Sequence, residues 1–203
     1  RKSFRREVVQ EKHAHDYVSY VDKASEKKVV SALRKLLPEA GFIAEEGSAA
    51  YSDETYCWVV DPLDGTTNYI HDNAPYCVSI ALRDKQSLLL GVVYEPCRDE
   101  CFYAWKGGGA YVNGERLRVS LVSEPKDAFV VTELPYNFEQ YARTGEHLIH
   151  ELYGKVAGIR MNGSAALALC YVAAGRFDAW LEAFIGKWDF SAAALMVLEA
   201  GGA

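Results

Sequence analysis

The chain has no run of apolar residues long enough to cross a membrane, no block of basic residues, no internal repeat and no C-x-x-C pair. Lack of a long apolar run argues against a membrane-spanning helix. With a net charge of −6 and no basic run, neither non-specific nucleic-acid binding nor attachment to an anionic lipid surface is expected. The five cysteines, Cys57, Cys77, Cys97, Cys101 and Cys170, are odd in number and mostly sit in apolar stretches, so they read as reduced thiols of a cytoplasmic protein. Cys97 and Cys101 have no His or Cys neighbour to complete a four-ligand metal site. Gly107-Gly108-Gly109 lacks the Lys and Ser/Thr of a P-loop and connects two apolar strands, so it reads as a turn. No signal peptide is visible, and a chain that begins at Arg1 without methionine is expected to be part of a longer one.

What is present is an ordinary globular composition: 203 residues, 50% hydrophobic and 25% charged, enough to bury a sizeable core in one or two domains. Val29, Val30, Leu33, Leu36 and Leu37 share one face of a helix predicted over 24–37, and Pro38 ends it. Apolar or alternating strands follow at 56–61, 76–83, 87–95, 101–106 and 110–119, with turns at Asp84-Lys85 and Asn113-Gly114, the pattern of an antiparallel sheet. From Ala128 strands and helices alternate: strand 128–133, helix 139–153, strand 155–160, helix 164–174 closed by Gly175, strand 177–182, then a helix from Asp189. The change of rhythm falls in the polar stretch 120–126. It divides the chain into an α+β half, 1–122, and a doubly wound α/β half, 123–203.

The chemistry is concentrated in Trp58-Val59-Val60-Asp61-Pro62-Leu63-Asp64-Gly65-Thr66-Thr67-Asn68. An apolar strand ends there in two carboxylates, Pro62 lacks an N–H and limits the ladder, and Gly65 permits a turn into a helix tip. Asp61 and Asp64 are hard oxygen donors suited to Mg²⁺, and amides at Gly65 and Thr66 would face an anion if they open a helix. A structural Asx turn is the plainer reading of an isolated D-P-x-D-G. The alternating acids of an EF-hand are missing. Glu45-Glu46 ends a second apolar stretch, 41–44, and Asp189 precedes an apolar helix face of Phe190, Ala193, Ala194, Val197 and Leu198, where a lone Asp reads as an N-cap. A phosphate dianion meeting several carboxylates is repelled by about 4 kcal/mol per pair at about 4 Å and an effective dielectric of about 20, so cations must intervene.

These elements resemble the inositol monophosphatase family of Mg²⁺-dependent, lithium-sensitive phosphatases, from about Asp16 to the last residue. The D-P-hydrophobic-D-G-T-T-N motif is Asp61 to Asn68, and W-D followed by a small-residue helix and A-G-G is Trp188 to Gly202. The upstream G-E-E-S element is matched by Ala44-Glu45-Glu46-Gly47, and D-x-V-[ST]-x-x-D by Asp16 to Asp22. The resemblance implies a two-part layered α/β/α/β/α sandwich with the site between its halves. It also implies two or three Mg²⁺ ions, with Mn²⁺ as a substitute. Glu45, Asp61 and the carbonyl of Leu63 would hold the first, Asp61, Asp64 and Asp189 the second, and a weaker third would lie near Glu45. Thr66 matches the residue that lines up the attacking water, Asp22 its hydrogen-bond partner, and the amides of Gly65 and Thr66 would stabilise the phosphoryl oxygens.

By the same resemblance Gly163-Ser164-Ala165 is the loop that faces the inositol ring, Glu182 binds ring hydroxyls, and Asp64 contacts substrate as well as metal. A helix start capped by Ser164 is compatible with that role. The chain departs from the family at Gly186, where His or Lys is usual, so inositol 1-phosphate is the default substrate and not a deduction. Related enzymes act on fructose bisphosphate, 3′-phosphoadenosine phosphates or histidinol phosphate, and some bacterial relatives also contact the transcription machinery, so a non-catalytic regulatory member of the fold is a further alternative. Lys12, His13 and His15 fall in the family's flap segment, and His147 with His150 reads as exposed helix. A homodimer is common in the family, whose members continue past the A-G-G with another strand pair.

Overall fold

A computed structural model describes residues 9–13, 16–134 and 138–203, with side chains from Tyr20 onward except at position 138. Two strands, β1 (Val9–His13) and β2 (Asp16–Ser19), pair antiparallel and lead into helix α1 (Tyr20–Leu36). Side chains at 12, 13 and 15, in the expected flap, lie outside the described residues. The helix begins four residues before the predicted start at 24, because its first two turns carry Asp22, Ser25 and Glu26 on a face that is polar yet turned inward.

Seven strands form the large sheet: β3 (Gly41–Ala44), β4 (Cys57–Asp64), β5 (Cys77–Arg83), β6 (Leu88–Glu95), β7 (Glu100–Trp105), β8 (Gly109–Val112) and β9 (Glu115–Arg116), in sequence order. Only the β3–β4 pair is parallel; the rest is the antiparallel meander that the turn signals predict. Successive residues of β4 feed opposite faces, as the strand period demands. Trp58 and Val60 pack with Val30 and Leu33 of α1, whereas Val59 enters the main core. Between Asp61 and Asp64 the pairing with β5 shifts register, which is how Pro62 is accommodated without ending the strand.

After the large sheet come β10 (Phe129–Glu133), α3 (Phe138–Leu152), β11 (Gly158–Arg160), α4 (Ala165–Ala173), β12 (Ala179–Glu182) and α5 (Lys187–Glu199). These three strands form a parallel sheet in the order β11-β10-β12. Because β10 lies between the other two, the crossovers run in opposite directions, and right-handed connection puts α3 and α4 on opposite faces. Helix α4 is buried along its whole length and packs with α5, which lies across β3 to β8 of the large sheet. At Gly91 of β6 a Cβ would fall 2.4 Å from the carbonyl oxygen of Ala192, so the missing side chain is what lets α5 sit directly on the sheet. The order of layers is thus α1, large sheet, α4 with α5, small sheet, α3, the expected α/β/α/β/α sandwich. One core draws on Val59, Val93 and Phe102 from one side and Leu167, Met196 and Val131 from the other. No described helix is long and apolar enough to cross a membrane.

Candidate active site

The C-terminal ends of β10 and β12, the end of β4 and the N-terminal ends of α4 and α5 meet around a cavity of about 370 Å³. It is lined by Glu45, Asp61, Leu63, Asp64, Gly65 and Thr66 from the first half, and by Gly163, Ser164, Ala165, Glu182 and Asp189 from the second. Every sequence-derived site residue except Asp22 is therefore on this surface, and Asp22 is one hydrogen bond behind it.

Asp61 sits in β4 with 2% of its surface exposed, its Oδ1 accepting the N–H of Leu63 at 2.9 Å. Burial first, then the charges of Glu45, Asp64 and Asp189, push its carboxyl well above the usual range. Asp64 takes the hydroxyl of Ser164 at 2.6 Å, the N–H of Ala166 at 2.8 Å and the Cys77 thiol at 3.7 Å, all on Oδ2. Burial and Asp189 nevertheless raise it to about 7, against the pull of those donors. Among the described residues no three acidic, histidine or cysteine side chains already converge on one point. As a donor set the residues lining the cavity fit Mg²⁺ or Mn²⁺: hard carboxylate oxygens plus a backbone carbonyl, with no thiolate or imidazole among them.

Helix α1 buttresses this cluster from behind. Buried Asp22 accepts the hydroxyl of Thr66 at 2.9 Å, and the same hydroxyl lies 2.9 Å from the carbonyl oxygen of Leu63. The hydroxyl of Ser25 donates to the carbonyl of Pro62 at 3.1 Å. Glu26, fully buried, accepts the N–H groups of Glu46 and Ser48, each at 2.7 Å, and so fixes the turn that follows Glu45. Gly65 is left-handed at φ 90° and opens helix α2 (Thr66–Ile70), which is the strand-to-helix turn the motif predicts.

Opposite, the loop 162–164 is clamped from two sides. Asn68 donates to the carbonyl oxygens of Asn162 and Pro75, both at 2.8 Å, and Glu133 accepts the N–H groups of Asn162 and Gly163 at 2.6 and 2.8 Å. Gly163 has φ +72°, and a Cβ there would fall 2.8 Å from the Asn68 amide nitrogen. Ser164 is the N-cap of α4, as expected, and its hydroxyl also reaches Asp64. Asp189 is not the N-cap of α5. Gly186 takes that position in an extended conformation, and Asp189, three residues on, accepts its N–H at 2.6 Å. A Cβ at 186 would lie 2.6 Å from the Trp188 ring, so glycine is what allows the indole to fold over this backbone. His147 and His150 are exposed on α3, as read, and all five cysteines are free.

The sequence pattern does not single out Glu26 or Glu133. The one available signal for Glu26 is its i, i+4 spacing from Asp22, which places both on the same helix face.

The fold and these acids define a layered α/β protein with a carboxylate-rich, cation-fitting cavity between its two sheets. The model of the inositol monophosphatase family matches residues 1–203, and the chain belongs to that family. It is 47% identical over 203 residues to a Nus factor SuhB of Pseudomonas aeruginosa, covering 96% of this chain and 73% of that protein. An inositol-1-monophosphatase of Rhizobium meliloti is 41% identical over 192 residues, covering 92% and 71%. Among solved structures, the extragenic suppressor protein suhB from Bartonella henselae aligns with a TM-score of 0.90 at 40% identity, over 95% of this chain and 74% of that one.

Proposed function

We propose that this protein is a Mg²⁺-dependent phosphoric monoester hydrolase acting on a small phosphorylated polyol, with inositol 1-phosphate as the default substrate. One observation carries the reading: Asp61, buried among Glu45, Asp64 and Asp189, lines the same cavity as the small-residue loop at Gly163 and the carboxyl of Glu182. Bound Mg²⁺ would supply the positive charge that polarises water and the phosphoryl oxygens. Glu45, Asp61 and the Leu63 carbonyl would hold one ion, and Asp61, Asp64 and Asp189 another. The Leu63 carbonyl oxygen, 2.9 Å from the Thr66 hydroxyl, has two lone pairs and so one to spare for the ion.

The hydroxyl of Thr66 has a single proton and two acceptors within 2.9 Å. With that proton directed to Asp22, its oxygen accepts from a water and orients the water's attacking lone pair. The hydroxyl of Ser164 and the amide of Ala166 hold Asp64 in place. Lithium inhibition and a homodimeric assembly belong to the same reading.

The test is phosphate release from inositol 1-phosphate, fructose bisphosphate, 3′-phosphoadenosine 5′-phosphate and histidinol phosphate, with Mg²⁺ and with a chelator. Mg²⁺-dependent turnover led by inositol 1-phosphate is expected. A competitor turned over equally well moves the substrate assignment, and no Mg²⁺-dependent release from any ester ends the reading. Because several relatives are named Nus factor SuhB, a second reading is contact with the transcription machinery. A persistent complex with RNA polymerase subunits, combined with no hydrolysis, would favour it.

A further inference from the structure

Glu133 ends β10, Glu182 ends β12, and the parallel register places the two directly side by side. Both line the cavity at the C-terminal edge of the small sheet, where ligands of open α/β sheets bind. The two hydrogen bonds that Glu133 accepts, from Asn162 and Gly163, both fall on Oε1. Neither uses Oε2. Fixing the loop therefore accounts for half of this carboxylate and leaves an acceptor on a residue that faces the cavity.

Glu182 is the complementary half. Its Oε2 is buried without a hydrogen-bond partner. Burial first, then Glu133, Asp189 and Asp64, push its carboxyl up to about 9. Glu133 is also raised by burial, but the two N–H groups on Oε1 pull the other way. Two neighbouring carboxyl groups, each with an oxygen outside any protein hydrogen bond, offer adjacent acceptors that match hydroxyl donors on a ligand. Neighbouring strands lie about 4.8 Å apart. Two hydroxyls on adjacent carbons span that distance when each makes a hydrogen bond of about 2.8 Å.

We propose that Glu133 is a specificity-determining residue that, together with Glu182, recognises a vicinal pair of hydroxyls on the alcohol part of the phosphate ester. This rests on the phosphatase reading above. The same carboxylate holds the substrate loop with one oxygen and reads the substrate with the other.

Glu133→Gln separates the two roles, because an amide oxygen still accepts from Asn162 and Gly163 while the atom outside the loop bonds changes from acceptor to donor. With saturating Mg²⁺, the variant is expected to raise KM for inositol 1-phosphate about tenfold. Its kcat and KM for p-nitrophenyl phosphate, which has no hydroxyls, should stay within about twofold of wild type. Parallel losses on both esters would reduce Glu133 to a structural role, and no change on either would remove it from the site. Glu133→Ala, which also releases the loop, is expected to impair both esters. Should Glu133→Gln fail to fold, wild-type turnover of inositol phosphates lacking one ring hydroxyl at a time decides. Two adjacent positions should each matter about tenfold, and equal turnover of every deoxy ester overturns the assignment. Failure of the wild-type protein to hydrolyse either ester with Mg²⁺ is a different result: it defeats the phosphatase reading, and this assignment falls with it.

Discussion

The two walls of the cavity are built on opposite plans. On the wall made by β3, β4 and α1, polar groups are tied to the protein behind them: Glu26 to two backbone amides, Ser25 to a carbonyl, Thr66 to Asp22 and Asp61 to the Leu63 amide. On the wall made by the ends of β10 and β12 and by Gly186, Glu182 keeps an unpartnered oxygen, Glu133 keeps one outside its loop bonds, and Gly186 has no side chain. Groups locked by their surroundings hold their geometry through a reaction, whereas groups left unsatisfied gain most from a ligand that satisfies them. The first wall is suited to constant chemistry and the second to choosing the alcohol. Substitutions on the first should therefore damage every substrate alike, and those on the second should not.

The largest breach of the first wall is Asp64→Asn. It keeps an oxygen for Ser164 and Ala166, so the thermal midpoint should hold or rise as a buried charge is removed, while kcat falls about 10²-fold or more for all esters. Steady-state kinetics on two unrelated phosphate esters check this, and a near wild-type rate on either contradicts it. Thr66→Ala should lower kcat about 10²-fold and leave the Mg²⁺ dissociation constant within about twofold, if the hydroxyl acts on water as proposed and not on the ion. A large loss of Mg²⁺ affinity in isothermal titration would show that Thr66 serves the metal instead.

Glu26→Gln tests the buttress without touching the cavity. One of the two 2.7 Å acceptor bonds to the 46–48 turn becomes a donor facing a donor, so the turn carrying Glu45 loosens. Outer-shell changes of this kind cost about tenfold in metal affinity. Titration calorimetry should show that loss, with kcat largely recovered at saturating Mg²⁺. Unchanged affinity would make Glu26 a packing residue only.

How much of this was legible in advance follows from how local each signal is. The strand, turn and helix tip at 57–70 lie in one short stretch, so Pro62, Gly65 and the paired aspartates announce them. Ser164 reads as a cap for the same reason. Glu26 and Glu133 act on backbone groups 20 to 30 residues away, and Asn68 on a carbonyl 94 residues away. A glutamate on a helix or at a strand end carries no mark of such a partner. The layered fold was legible because strand and helix periodicity change at one place. The true cap of α5 was not, because Gly186 caps through backbone conformation alone and the Asp189 carboxylate reaches back to it from inside the helix.

The smallest effect expected concerns stability against pH, and it distinguishes the walls by their charge. Asp61 is raised, Asp64 stands at about 7 and Glu182 at about 9, whereas the same groups in an unfolded chain titrate near 4. Between those limits the folded protein holds protons the unfolded chain has released, so in metal-free buffer these acids lower stability as pH rises from about 4 through 7 and onward to 9. Asp84 and Glu100 are lowered by backbone amides and by Arg176, and their contribution is lost only as pH falls below about 4, outside this window. On the proposed ligand set Mg²⁺ would compete with the protons on Asp61 and Asp64, so its stabilisation should grow with pH. For a chain of this size about 1 kcal/mol moves Tm by about 2–4 °C. Calorimetric scans at saturating Mg²⁺ should show a larger rise in Tm at pH 8 than at pH 5.5, and Asp64→Asn should flatten the difference. Glu133→Gln, on the other wall, should leave it in place. A Mg²⁺ effect that is flat or shrinks over that range would mean that these carboxylates do not hold the ion.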